Sequence, residues 1–427
     1  MRGRRWISCS RSVRARVSIS AVLLLVGGGC VGGDPDREDA GRPASGLEAV
    51  TAALQDGVDR GAVGGVVTLV FRRGEIVQVD AVGWRDEERS RPMARDSIFR
   101  IASMTKPITS VAALILLDER HFELADSVDR WLPELANPTV LPDPTAQFDA
   151  ARPAVRPIRV VDLLTHRSGV VTPRNAPGPL LDALTAADAS NESGHDAWLA
   201  TIGALPLAHE PGTTFNYGNS VDLLGILVER VSGVPLPEFL TTRIFEPLGM
   251  QDTAFWIPPE KRDRAAPLQD LGRVPASWIH PHTEVPGFVS AAGGLFSTVD
   301  DYLKFARMLL GGGRLGDVQI LRPETVERMT TNQLPSEQRQ GLPFGGPPGY
   351  WSGMGFGLGL ALQEDTKVAT RELGIASRGS FGWPGVFGTW WQADPVEELI
   401  LVFMVPGGDA KPLRWAFQAA AYQALVE

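Results

Sequence analysis

A serine hydroxyl is a weak nucleophile until a neighbouring group takes its proton. In the run Ser103-Met104-Thr105-Lys106, a lysine follows a serine at a spacing of three. On a helix, positions i and i+3 share a face, so the amine can reach the serine oxygen. The pair supplies an oxygen to attack an acyl carbonyl and a nitrogen to receive its proton. A helix N-terminus at this point would favour the negative charge that develops beside it. Taken alone, the same four residues also describe a capping serine and a solvated lysine.

Two further runs could complete such a site. In Phe215-Asn216-Tyr217-Gly218-Asn219-Ser220, Tyr217 and Asn219 flank a glycine, and a tight turn there can present both side chains in one direction. A tyrosine beside a lysine can relay protons, and an asparagine amide can donate to a substrate carbonyl. In Phe381-Gly382-Trp383-Pro384-Gly385-Val386-Phe387-Gly388-Thr389, the glycines allow a ligand or another backbone to come close. There the backbone N–H of Val386 could pair with that of Ser103 to hold an oxyanion. Singly, these runs read equally as a polar turn and a Gly-rich turn.

In order and context the three runs resemble the penicillin-recognising serine hydrolases: class C β-lactamases, D-alanyl-D-alanine peptidases and family VIII esterases. That superfamily carries S-x-x-K, Y-x-N and a late [KHW]-x-G element. The matching residues here are Ser103/Lys106, Tyr217/Asn219 and Trp383/Gly385. The stretches Asp162-Leu163-Leu164-Thr165-His166-Arg167-Ser168-Gly169 and Ser290-Ala291-Ala292-Gly293-Gly294-Leu295-Phe296-Ser297 are similar too. The resemblance spans about residues 45 to 427. It implies Ser103 as nucleophile, Lys106 and Tyr217 as proton carriers, and Asn219, Trp383, Gly385 and Val386 as substrate and oxyanion contacts. It implies no cofactor. It makes His166 a structural residue rather than a triad base.

The third run separates the relatives. β-Lactams and peptidyl-D-Ala chains carry a carboxylate, which the Lys of K-T-G helps to bind in the lactamases. Here Trp383 stands in that place, as it does in family VIII esterases, and offers an apolar wall. Loss of a charged partner in a buried site costs about 1–3 kcal/mol, roughly ten- to a hundredfold in recognition. The expected reaction is therefore hydrolysis of a carboxylic ester, with a small-molecule ester or amide as the substrate class. Arg378, just upstream, reads as a surface charge. Alternatives are a β-lactamase, a D-amino-acid peptidase or an acyltransferase. A rival of another class is an inactive envelope binding protein on this fold, against which stands the presence of Ser103, Lys106, Tyr217 and Asn219 together. No G-x-S-x-G and no H-E-x-x-H occurs. His280-Pro281-His282 reads as a loop feature.

The elements that must position these residues can be read from apolar spacing. Leu47 to Val58 has helical periodicity, and Val63 to Phe71 and Ile76 to Val82 read as a β-hairpin across Arg72-Arg73-Gly74-Glu75. A long apolar helix is expected from about Ser103 to Arg120, with Pro107 near its start because early helix amides are unpaired anyway. Val160 to Leu164, Leu180 to Ala187 and Val221 to Val231 read as helices in a mainly helical region. A helix from near Thr298 to Leu310 follows. Strands are expected over Gly385 to Gln392 and Glu398 to Val405, then a helix over about Leu413 to Leu425. Residues 332 to 353, rich in Gly, Pro and Gln, are expected to form a surface loop. The fold class is α/β (α+β): an antiparallel sheet flanked by helices, with an inserted mainly helical domain. The α/β part is expected over about 46–120 and 290–427, and the helical part over about 121–289.

The first 30 residues differ from the rest. Arg2, Arg4, Arg5, Arg11, Arg14 and Arg16 precede an apolar run from Val17 to Val26 and then Gly27-Gly28-Gly29-Cys30. That is a signal-peptide layout, and Cys30 is the lipidation candidate. Residues 31–45 read as a flexible linker. The expectation is export to the periplasm or cell envelope, with membrane attachment through a lipid on Cys30. The net charge is -9, and loss of the six leader arginines leaves -15, which argues against a nucleic-acid partner. The other cysteine, Cys9, lies in the leader, so the mature chain has no internal disulfide.

Overall fold

The computed structural model describes residues 46–189, 194–269, 283–339 and 349–424. The leader, the linker, Cys30 and His280-Pro281-His282 lie outside the described residues. The chain opens with α1 (Gly46–Asp59), β1 (Gly65–Arg72) and β2 (Glu75–Gly83). Arg73 and Gly74 turn the hairpin, both at positive φ. Later come β3 (Met354–Phe356), β4 (Ala361–Gln363), β5 (Phe381–Pro384), β6 (Trp390–Asp394) and β7 (Leu399–Met404). They join one antiparallel sheet in the order β2-β1-β7-β6-β5-β4-β3. The first hairpin thus pairs with the last strand, Val67 opposite Met404 and Arg72 opposite Leu399.

The β7 sequence is apolar throughout because both of its faces are covered. Leu401, Phe403 and Val405 pack with Val50, Leu54, Leu413 and Phe417, under α1 and α8 (Ala410–Gln423). Ile400, Val402 and Met404 face the larger core, which holds α2 (Thr105–Asp118) and α7 (Val299–Leu310). Alternate side chains of a strand point to opposite faces, so a strand between two helical layers loses its polar alternation.

Between β2 and β3 lie mostly helices: α2, α3 (Val160–Leu164), α4 (Pro179–Ala189), α5 (His195–Gly203), α6 (Ser220–Ser232) and α7. Two expectations need correction. The strand expected over Gly385 to Gln392 is broken by a turn. Gly385 N–H donates to Thr389 O at 2.7 Å, and Gly388 has φ +102°. The apolar residues after Trp383 therefore belong to a hairpin corner. The segment 332–353 is also not simply a surface loop. Among its described residues, Leu334, Tyr350 and Trp351 are buried. Their rings and methyls recover apolar area against Phe215 and Phe356, with Trp351 edge-on to Phe215 at 4.8 Å between centroids.

Candidate active site

The serine lies in a tight 3-10 turn, Ala102–Met104, just ahead of α2. Pro107 brings no N–H, and it occupies the third position of α2, where none is required. Ala102 has φ +45°, a left-handed conformation that costs a non-glycine residue about 1–2 kcal/mol. Neighbouring bonds hold it there. Ile101 N–H donates to Leu295 O at 3.0 Å, and the buried Tyr302 hydroxyl of α7 donates to Met104 O at 2.8 Å. The turn leaves Ser103 half-buried while Ala102 and Met104 are buried on either side.

One turn later, Lys106 is buried. Its ammonium donates to Ser103 Oγ at 3.2 Å and to the carbonyl of Ala292 at 2.7 Å. It also stands over the Tyr217 ring, 4.6 Å from the centroid. The structure thus brings Ser103, Lys106 and Tyr217 together around one nitrogen. The run Ser290–Ser297 forms the floor beneath α2. Thr109 Oγ1 donates to Ala291 O, and Leu295 N–H donates to Thr105 Oγ1.

Tyr217 and Asn219 sit on the loop that enters α6. Asn219 is the residue before the helix, its side chain makes no cap, and its buried Nδ2 has no hydrogen-bond partner among the described residues. His166 braces this loop. It follows α3 at φ +51°, its carbonyl accepts from Asn216 N–H at 2.7 Å, and its Nδ1 accepts from Gly218 N–H at 3.4 Å. These bonds bracket Tyr217, whose ring lies 4.6 Å from the imidazole. An Nδ1 that accepts a proton bond leaves the ring proton on Nε2, so His166 is a neutral ring here. Burial, and then the nearby Lys106 charge, hold its pKa well below that of an exposed imidazole.

The third run closes the site from the sheet. Trp383 on β5 is buried, and its indole N–H donates to the Tyr217 hydroxyl at 3.1 Å. Sequence reasoning made Trp383 an apolar wall and missed this polar link. The indole N–H is the signal that could have found it, since a buried one usually has an acceptor. Gly385 faces the carbonyl of Ile101, two residues before Ser103. A Cβ on Gly385 would stand 2.5 Å from that oxygen. Val386 is 45% exposed, and its N–H makes no hydrogen bond among the described residues. Arg378 is exposed in the loop before β5. A second missed residue is Asp222 on α6. It is buried, and Oδ1 accepts from Ser290 Oγ–H at 2.9 Å and from Ala292 N–H at 3.1 Å. Nothing in the local sequence marks it, because its partners are 68 and 70 residues away.

An attacking oxygen, an amine in contact with it, a phenol over the amine and an open backbone N–H make a set suited to acyl transfer. Comparison with known proteins agrees with that chemistry. The chain matches the beta-lactamase family over residues 50–423. It is 40% identical over 363 residues to Protein Rv1367c of Mycobacterium tuberculosis, which covers 84% of this chain and 90% of the relative. It is 29% identical over 385 residues to Esterase EstB of Burkholderia gladioli, with the same coverage, 84% and 90%. Among solved structures it is similar to EstCE1, a hydrolase with promiscuous acyltransferase activity. The TM-score is 0.73 and the identity 26%, over 88% of this chain and 98% of that one.

Proposed function

Since this chain belongs to the beta-lactamase family and is a serine hydrolase, we propose that it is an exported enzyme that cleaves carboxylic esters through an acyl-enzyme on Ser103. The observation that carries the ester reading is Trp383. The residue that would meet a substrate carboxylate is an uncharged aromatic, and its single polar atom is already engaged with Tyr217. Arg378, the nearest cation upstream in sequence, is exposed. The likeness to Esterase EstB supports the same reading.

Ser103 Oγ attacks the ester carbonyl carbon while its proton passes to the Lys106–Tyr217 pair, which enters the step one proton short, as free amine with phenol or as ammonium with phenolate. The carbonyl oxygen becomes an oxyanion that accepts from the N–H groups of Ser103 and Val386. One such donor is worth about 10²- to 10³-fold in rate. As the tetrahedral intermediate collapses, the carbon–oxygen bond to the alcohol breaks and Tyr217 returns the proton to the departing alkoxide. Water then attacks the acyl-enzyme, gives its proton to the same pair, and releases the acid and free Ser103. Asn219 Nδ2, buried without a hydrogen-bond partner among the described residues, is suited to donate to the acyl side of the substrate.

Export rests on the leader, and attachment to the membrane rests on Cys30. Expression of the full chain with fractionation tests both: the protein follows the membrane fraction, and Cys30→Ser moves it to the soluble fraction. For the reaction, short nitrophenyl esters are compared with a chromogenic cephalosporin. Faster turnover of an ester supports the reading. Much faster turnover of the cephalosporin replaces it with a lactamase.

A further inference from the structure

We infer that Asp222 is a positioning residue for Lys106, acting through Ala292 as the buried negative charge that governs when the Ser103–Lys106–Tyr217 unit takes up a proton. The inference rests on the proposed roles of Ser103 and Lys106.

The geometry is a short chain. Asp222 stands in the first turn of α6, three residues after Asn219. It binds Ala292 N–H, and the carbonyl of that same residue receives the Lys106 ammonium at 2.7 Å. One residue thus separates the carboxylate from the amine. Among the described residues no carboxylate touches Lys106, whose contacts are Ser103 Oγ, Ala292 O and the Tyr217 ring. Among the same residues no cation touches Asp222. A carboxylate is rarely buried without a charged partner, because desolvating the charge is costly.

The shape of the site does not require that charge. Both donors, Ser290 Oγ–H and Ala292 N–H, end on Oδ1. An asparagine in the same rotamer would accept both bonds with its amide oxygen. What aspartate adds is negative charge under the proposed base. Burial pushes the Asp222 carboxyl up, while Lys106 and the two hydrogen bonds hold it down, and the net direction is upward. Among the described residues two titratable groups face it: Lys106 from α2 and His195 from α5. His195 is held between Glu229 of α6, at 2.7 Å, and the carbonyl of Val289, at 2.9 Å. His166 and Tyr217 stand on the other side of Lys106.

The test is the pH profile of kcat/KM on a nitrophenyl ester for wild type, Asp222→Asn and Ser103→Ala. Without the carboxylate, the proton-accepting unit loses its proton more readily. The acidic limb of Asp222→Asn is therefore expected to move to lower pH by on the order of one unit, with KM little changed. A limb that stays in place, or moves to higher pH, overturns the inference. An active Ser103→Ala instead sinks the underlying reading, so the two failures are distinct. If Asp222→Asn does not fold by circular dichroism, Asp222→Ser takes its place. It removes the same charge and leaves a hydroxyl able to accept a hydrogen bond, so the limb is expected to move the same way, and an unmoved limb there overturns the inference equally.

Discussion

His166 serves the site as a neutral ring, and that has a cost at low pH. Its proton affinity in the folded chain is well below that of an exposed imidazole, through burial first and the Lys106 charge second. Between the two pKa values the unfolded chain binds the proton and the folded chain does not. The stability contributed is therefore complete above about pH 6.5 and is lost as pH falls below it. A melting series from about pH 7 to pH 5 should show that decline, and His166→Asn should flatten it. The same variant should lower kcat about 10- to 100-fold, because Gly218 N–H loses its acceptor and Tyr217 loses its brace. KM should change less. Unchanged kcat would mean that Tyr217 is held by other contacts. At this scale the sequence shows the residue types and their order. It does not show His166 beside Tyr217 or the indole bond of Trp383, because those contacts join residues 51 and 166 positions apart.

At the scale of elements, the Ser103 turn is held between β5 and α7. Gly385 lies against Ile101 O, and Thr389 Oγ1 donates to the same carbonyl at 3.3 Å. Gly385→Ala should force the β5–β6 corner away from the turn, and kcat/KM should fall about 100-fold or more while the fold survives. Circular dichroism and ester kinetics on one preparation separate the two effects. Tyr302→Phe removes the donor to Met104 O and should cost about 1–2 kcal/mol of stability, read as a lower Tm. Helices with strong apolar periodicity are legible in the sequence. The reading from Val221 to Val231 lies within α6, and that from Val160 to Leu164 coincides with α3. The corner at Gly385–Thr389 is not legible as a break, since Val386 and Phe387 continue the apolar run. The short strands β3 and β4 are also missed, because three residues each carry too little period to recognise.

For the whole molecule, the strongest constraint is closure of the sheet by distant parts of the chain. The fold class is legible because strand patterns stand at both ends of the sequence and helical ones between. The pairing of β1 with β7 rests on six registered positions and links residues more than 320 apart. A chain ending at Asp394 would lose β7 and α8 and leave β1 without its inner neighbour, exposing the core on both faces. It should show no cooperative thermal transition. The burial of 350–351 is not legible, because composition rich in Gly and Pro reads as surface while Tyr350 and Trp351 fill the aromatic cluster beside Tyr217. The proposed reaction passes through one covalent bond, between Ser103 and an acyl group. Brief exposure of the protein to a nitrophenyl ester, acid quenching, and mass measurement of the intact chain and its peptides test that bond directly. The expected result is a mass gain equal to one acyl group, carried by the peptide that contains Ser103 and absent from Ser103→Ala. An acyl group on another residue, or the same gain in Ser103→Ala, would contradict it.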